Sequence, residues 1–136
     1  MKTLLSGGCL CGAVRYEISA APVRSVNCHC RTCQKWTGAP HLPLLFVPAS
    51  ALTVTGDYKE YPTLSAAGNK VYRGFCDKCG TPLFGRNERY SKLRPLAALT
   101  LDHPASYKPQ LDMWVSDAQP WDIMDPDLPK CSGNFW

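Results

Sequence analysis

Seven of the eight cysteines in this 136-residue chain fall into three tight groups. They are Cys9 and Cys11 (C-x-C), Cys28, Cys30 and Cys33 (C-x-C-x-x-C), and Cys76 and Cys79 (C-x-x-C). A pair of cysteines one or two residues apart supplies two sulfur donors from a single turn, and two such pairs complete the tetrahedral shell that zinc prefers. Cys9, Cys11, Cys76 and Cys79 therefore read as a closed, structural zinc site. The middle group offers only three thiolates, and a zinc ion held by three protein ligands keeps a position for water or substrate. Function is expected at Cys28, Cys30 and Cys33.

Other fates for these sulfurs stay open. A disulfide framework is expected in shorter, secreted chains, and a C-x-C pair is poorly placed to bridge. Three ligands in one run can also hold an iron–sulfur cluster. Cys131 is left over in a Pro- and Gly-containing tail, and as a fourth ligand it would turn the open site into a second closed one. A lone cysteine is otherwise a small apolar residue. His29 lies between two of the sulfurs and, on an extended backbone, points away from them, which predicts a half-exposed side chain. His41 and His103 each adjoin a proline in loop-like sequence. Lys35, His29 and His41 stand close enough to the middle motif to be candidate proton carriers.

A zinc ion with three thiolates carries a net charge of about −1, which makes it a weak Lewis acid. Exchange of its fourth ligand for a soft thiol suits it better than generation of hydroxide at neutral pH. Ligand chemistry thus points to a sulfur substrate.

These sites need a frame of short strands. Val14, Tyr16 and Ile18 alternate with Arg15 and Glu17, as in a half-buried strand. Leu44–Val47, Leu52–Thr55, Tyr58–Tyr61, Val71–Phe75, Pro82–Phe84, Leu96–Leu101 and Leu111–Val115 read similarly, separated by punctuation such as Gly56-Asp57. Ten glycines and twelve prolines leave room only for helical turns, at Arg31–Trp36 and Pro48–Leu52. The expectation is a mainly β protein whose closed zinc ties position 9 to position 79. Gly8, Gly12 and Gly80 sit where a metal knuckle needs positive φ or close backbone amides.

The ordered motifs Gly8-Cys9-Leu10-Cys11-Gly12-Ala13-Val14-Arg15-Tyr16, Cys28-His29-Cys30-Arg31-Thr32-Cys33-Gln34-Lys35-Trp36-Thr37-Gly38 and Phe75-Cys76-Asp77-Lys78-Cys79-Gly80-Thr81-Pro82-Leu83-Phe84 resemble those of the glutathione-dependent formaldehyde-activating enzyme family. The resemblance spans about 8–121, leaving a distinctive tail at 122–136. It implies a β-tent fold, a structural zinc on Cys9, Cys11, Cys76 and Cys79, and a catalytic zinc on Cys28, Cys30 and Cys33. It also implies carbon–sulfur lyase chemistry, the reversible joining of glutathione and formaldehyde as S-hydroxymethylglutathione, on that or a related small thiol adduct. A relative in the same family, a centromere protein, keeps open a second class: a non-catalytic, zinc-stabilised binding module with two structural sites.

Length and charge bound the rest. With 136 residues, 45% of them hydrophobic, the chain can enclose one moderate core and not two, so 1–136 reads as a single domain. No apolar run approaches a membrane span or a signal peptide, and cysteines used for metal fit a cytoplasmic setting. Seven bound thiolates and two zinc ions bring the formal +4 down to +1. Only Arg86, Arg89, Lys92 and Arg94 form a loose basic group, so neither a nucleic acid nor a membrane is the expected partner. The expected partner is a small-molecule thiol or thiol–aldehyde adduct, with two zinc ions per chain, the second labile.

Overall fold

A computed structural model describes residues 2–136; Met1, where the expected domain begins, lies outside them. The chain is mainly β. Its strands are β1 (Leu5–Gly8), β2 (Arg15–Ile18), β3 (Arg24–Cys28), β4 (Leu42–Pro48), β5 (Leu52–Thr55), β6 (Tyr58–Leu64), β7 (Lys70–Cys76), β8 (Pro82–Asn87), β9 (Leu93–Ala97) and β10 (Leu111–Met113). A single α-helix, α1 (Arg31–Thr37), and five short 3-10 turns complete the described residues. β1, β2 and β5 form a small antiparallel sheet, and the other seven strands form a larger one in the order β10-β3-β4-β9-β8-β7-β6. Among the strand pairs of the described residues only β10–β3 is parallel.

β4 shows why the larger sheet has two covered faces. Its run Leu42-Pro43-Leu44-Leu45-Phe46-Val47-Pro48 is apolar throughout, so both sets of alternating side chains need cover. Leu45 and Val47 join a core with Val14, Tyr16, Ile18, Leu83, Phe84 and Leu96, beneath the small sheet. Leu42, Leu44 and Phe46 join a second core with Val26, Cys28, Cys33, Ala97, Leu111 and Met113. The expectation of one core is therefore corrected: two apolar clusters lie on opposite faces of one sheet, with β4 shared between them. Cys9 and Cys76 lie in the first cluster and Cys28 and Cys33 in the second, so each cysteine site is built into its own core.

The alternation read in β2 holds, with Val14, Tyr16 and Ile18 buried and Arg15 and Glu17 exposed. The segment expected as a strand at Leu96–Leu101 ends earlier, because Ala98–Thr100 turns into a 3-10 helix in which the Thr100 hydroxyl donates to the Ala97 carbonyl at 2.7 Å. Val115 likewise leaves the strand expected at Leu111–Val115 to begin a 3-10 turn. β1 and β3 are additional to the expected strands.

Candidate functional site

The four sulfurs of Cys9, Cys11, Cys76 and Cys79 lie within 4.8 Å of one another and could hold a metal ion. β7 delivers Cys76 as its last residue, and the turn after it returns Gly80 N–H to the Cys76 carbonyl at 2.9 Å. Gly80 has φ +76° and Gly12, in the first knuckle, has φ +81°, conformations that a side chain would strain. Backbone amides face the sulfurs: Val14 N–H donates to Cys9 Sγ at 3.2 Å, and the Lys78 and Cys79 amides to Cys76 Sγ at 3.4 and 3.5 Å. The Thr81 hydroxyl and amide bring the Cys79 thiol down to about 5, so this group is poised to ionise and ligate.

Cys28, Cys30 and Cys33 form a separate three-sulfur group, again within 4.8 Å. Cys28 ends β3, and Cys30 is the N-cap of α1, its Sγ accepting the Cys33 N–H at 3.3 Å. One turn of helix then brings Cys33 round to its partners, and α1 stops at Gly38 with φ +70°. Hydrogen bonds from the Cys28 and Cys33 thiols, the Cys33 amide and the Arg73 charge lower Cys30 to about 2. Hydrogen bonding to Cys30 and Cys33, together with burial, pushes Cys28 upward. The three thiols are thus coupled, with the thiolate favoured at Cys30 and disfavoured at Cys28. That donor set suits a soft or borderline divalent ion such as zinc.

All three sulfurs line a cavity of about 550 Å³. One side is aromatic, with Phe46, Tyr90, Trp114, Phe135 and Trp136 in the wall. Trp136 packs edge-on against Phe46 and Phe135, with ring centroids 5.9 and 4.7 Å away. Trp114 adopts a left-handed φ of 58°, unusual for a bulky residue, and its Nε1 donates to Asn134 Oδ1 at 2.7 Å. Arg31, Arg73 and Arg86 also line the cavity, Arg86 with its charge paired to Glu60.

The family model for glutathione-dependent formaldehyde-activating enzymes matches residues 4–117. The chain belongs to that family. A Halomonas elongata protein provisionally named a glutathione-dependent formaldehyde-activating enzyme is 30% identical over 147 residues, covering 97% of this chain and 88% of that relative. A crystal structure of a Rhodobacter sphaeroides protein shares the fold, with TM-score 0.59 and 17% identity over 92% of this chain and 98% of that one.

Several residues singled out in this family member take positions that the motifs do not announce. Cys131 does not join the three-sulfur group. It packs beside the second core, and its amide donates to the Asp112 carbonyl at 2.9 Å. His29 does point away from the sulfurs, yet it is wholly buried, which corrects the expected half-exposed side chain. The tail covers that side of the strand, and Asp112 Oδ1 engages His29 Nε2 at 2.9 Å. His41 lies against it, with ring centroids 4.9 Å apart, and burial lowers the His41 pKa. Lys35 is exposed on α1 in a shallow groove next to the cavity, with which the groove shares Thr32 and Arg73. Neither His29 nor Lys35 is part of the cavity wall.

The expected basic group disperses on folding. Arg86 forms a two-pronged contact with Glu60 at 2.8 and 2.9 Å, and Arg94 Nε donates to the Gly85 carbonyl at 2.7 Å. The residue that motif reading passed over is Gln34. It is buried, and its Nε2 donates to the His29 carbonyl at 2.6 Å and the Asp117 carbonyl at 3.0 Å, tying α1 to the residue after β3 and to the 3-10 turn that ends at Asp117. Its helical position next to Cys33 was the available signal, since a polar residue there must find partners when buried. Among the described residues no helix is long and apolar enough to cross a membrane.

Proposed function

We propose that the chain is a zinc-dependent carbon–sulfur lyase acting on a thiol–aldehyde adduct of the S-hydroxymethylglutathione type, with its catalytic ion on Cys28, Cys30 and Cys33 and a structural ion on Cys9, Cys11, Cys76 and Cys79. The observation that carries this reading is a three-sulfur group, lacking a fourth cysteine, in the wall of a cavity large enough for a small molecule. Zinc held there would supply a position at which an incoming thiol ionises.

In the joining direction the substrate thiolate attacks the aldehyde carbon. The C–S bond forms, the C=O π pair moves to oxygen, and that oxygen takes a proton. The reverse reaction returns the proton and breaks the C–S bond. Arg31 and Arg73 are suited to the carboxylates of an acidic thiol such as glutathione, whereas Arg86 is already paired with Glu60. Of the three proton carriers expected from sequence, His29 is committed to Asp112 on the far side of β3, and His41 lies against it there. Lys35 can reach the cavity only across the rim formed by Thr32 and Arg73. Asp117 is the carboxylate in the cavity wall, so proton transfer is assigned to Asp117, with Lys35 at the rim.

The decisive experiment combines a cobalt-substituted protein with exchange kinetics. Glutathione should perturb the thiolate-to-cobalt absorption, and magnetisation transfer between formaldehyde hydrate and its glutathione adduct should be accelerated by the wild type and not by Cys30→Ser. An unchanged spectrum together with unaccelerated exchange would leave a binding module with two structural ions as the better account.

A further inference from the structure

A third group of potential ligands lies outside both cysteine sites. One nitrogen from each of His29 and His41 and one carboxylate oxygen of Asp122 lie within 4.8 Å of one another. His29 is wholly buried, and His29 Nδ1, His41 Nδ1 and Asp122 Oδ2 are all shielded from solvent without a hydrogen-bond partner. The approach of His29 Nδ1 to Asp122 Oδ2, 3.5 Å, is too long to satisfy either atom well. Buried polar atoms are nearly always paired, so three orphaned atoms on three neighbouring side chains call for an occupant.

The surrounding contacts prepare them for ligation. Asp112, itself almost wholly buried, holds His29 Nε2 at 2.9 Å through Oδ1, and Lys130 Nζ anchors Oδ2 at 2.9 Å. A carboxylate on one ring nitrogen fixes the tautomer and leaves the other nitrogen's lone pair for a metal, the usual outer support of a metal-bound histidine. Lys130 also donates to the Asp125 and Leu128 carbonyls at 2.7 and 3.0 Å, holding the segment that carries Asp122 against the sheet. A water molecule could bridge some of the orphaned atoms, whereas a cation would satisfy all three together.

We propose that His29, His41 and Asp122 form a third metal site, for a borderline divalent ion such as zinc or ferrous iron. Two imidazoles and one carboxylate suit such ions and lack the thiolates that select softer ones. Asp122 and Lys130 lie beyond residues 4–117, so the site depends on this chain's own tail. It stands on the opposite side of β3 from the cavity and is independent of the lyase reading.

The test is metal stoichiometry in the full chain. Wild type, His41→Gln and Asp122→Asn would be loaded with zinc, freed of excess by gel filtration and assayed by elemental analysis, with parallel cobalt loading. Each variant should lose one equivalent while the thiolate-to-cobalt bands of the cysteine sites stay unchanged. Equal metal content in folded variants and wild type would overturn the site. Should the variants not fold, wild-type crystals soaked in zinc decide: an anomalous peak bonded to His29 Nδ1, His41 and Asp122 supports the site, and its absence refutes it. Catalysis of adduct exchange is not a readout here, so the two proposals can fail separately.

Discussion

Cys30 does two jobs at once. Its sulfur caps α1 through the Cys33 amide, and hydrogen bonds from its neighbouring thiols and that amide lower its pKa, favouring its thiolate. In metal-free protein near pH 6, iodoacetamide should therefore label Cys30 before Cys28 or Cys33, which peptide mapping by mass spectrometry would detect. Equal labelling of the three would contradict the proposed charge distribution. Arg73 contributes to that charge and faces the cavity. Arg73→Gln should raise the KM for glutathione by about tenfold, equivalent to ~1.4 kcal/mol, while leaving a thiol without carboxylates nearly unaffected. Steady-state kinetics with both thiols would separate loss of an anion contact from general damage. At this scale the grouping of the sulfurs was legible because their spacing is local. The burial of His29 was not, because its cover comes from Asp112, 83 positions away, and from the tail.

At the scale of elements, β4 divides the consequences of mutation between its faces. Leu45→Ala, beneath the small sheet, should cost about 2–5 kcal/mol of stability by opening a cavity, with little change in KM. Denaturant melts and kinetics on the same preparation would test that split. β1 offers a sharper steric test. A Cβ at Gly7 would lie 2.3 Å from both the Tyr16 hydroxyl oxygen and the Thr100 carbonyl oxygen, in a region where Tyr16 OH is paired with Thr100 Oγ1 at 2.7 Å. Gly7→Ala should destabilise by about 1–3 kcal/mol through overpacking, measured as a lowered denaturation midpoint. β1 escaped sequence reading for another reason: Leu5-Ser6-Gly7-Gly8 has no alternating apolar face, and its strand form comes from pairing with β2. β3 was hidden likewise, since its fully buried side chains are only Val26 and Cys28. By contrast β2, β4 and β5 declared themselves through alternation or through a continuous apolar run.

For the whole molecule, the two sulfur sites should differ in what their loss does. Chelation should first remove the ion from the three-cysteine site with the fold retained. Removal of the second ion should coincide with unfolding, because Cys9 and Cys11 are tied to Cys76 and Cys79 across most of the first core. Circular dichroism followed against metal lost from the two sulfur sites would show two steps; one concerted step would refute the distinction. Acid acts elsewhere as well. Asp102, held by Arg15 at 2.6 and 2.9 Å and by Ser6 at 2.8 Å, fastens the loop after β9 to the small sheet and has its pKa lowered to about 2. A carboxyl depressed in the folded state stabilises it above the ordinary value near 3.8, and that contribution disappears as pH falls towards 2. The stability gap between wild type and Asp102→Asn should therefore close over this window, with acid release of metal common to both proteins. At this scale the tail was the least legible part, because residues 122–136 show neither alternation nor helical period and gain their order from contacts with Asp112, Trp114 and Phe46.

Two of the four tryptophans, Trp114 and Trp136, border the sulfur-lined cavity, while Trp121 is largely exposed. The protein thus carries an intrinsic fluorophore pair next to the space a guest would enter. Arrival of a thiol or exchange of the ion should be visible as a change in indole emission, without any dye and on the millisecond timescale of a stopped-flow instrument.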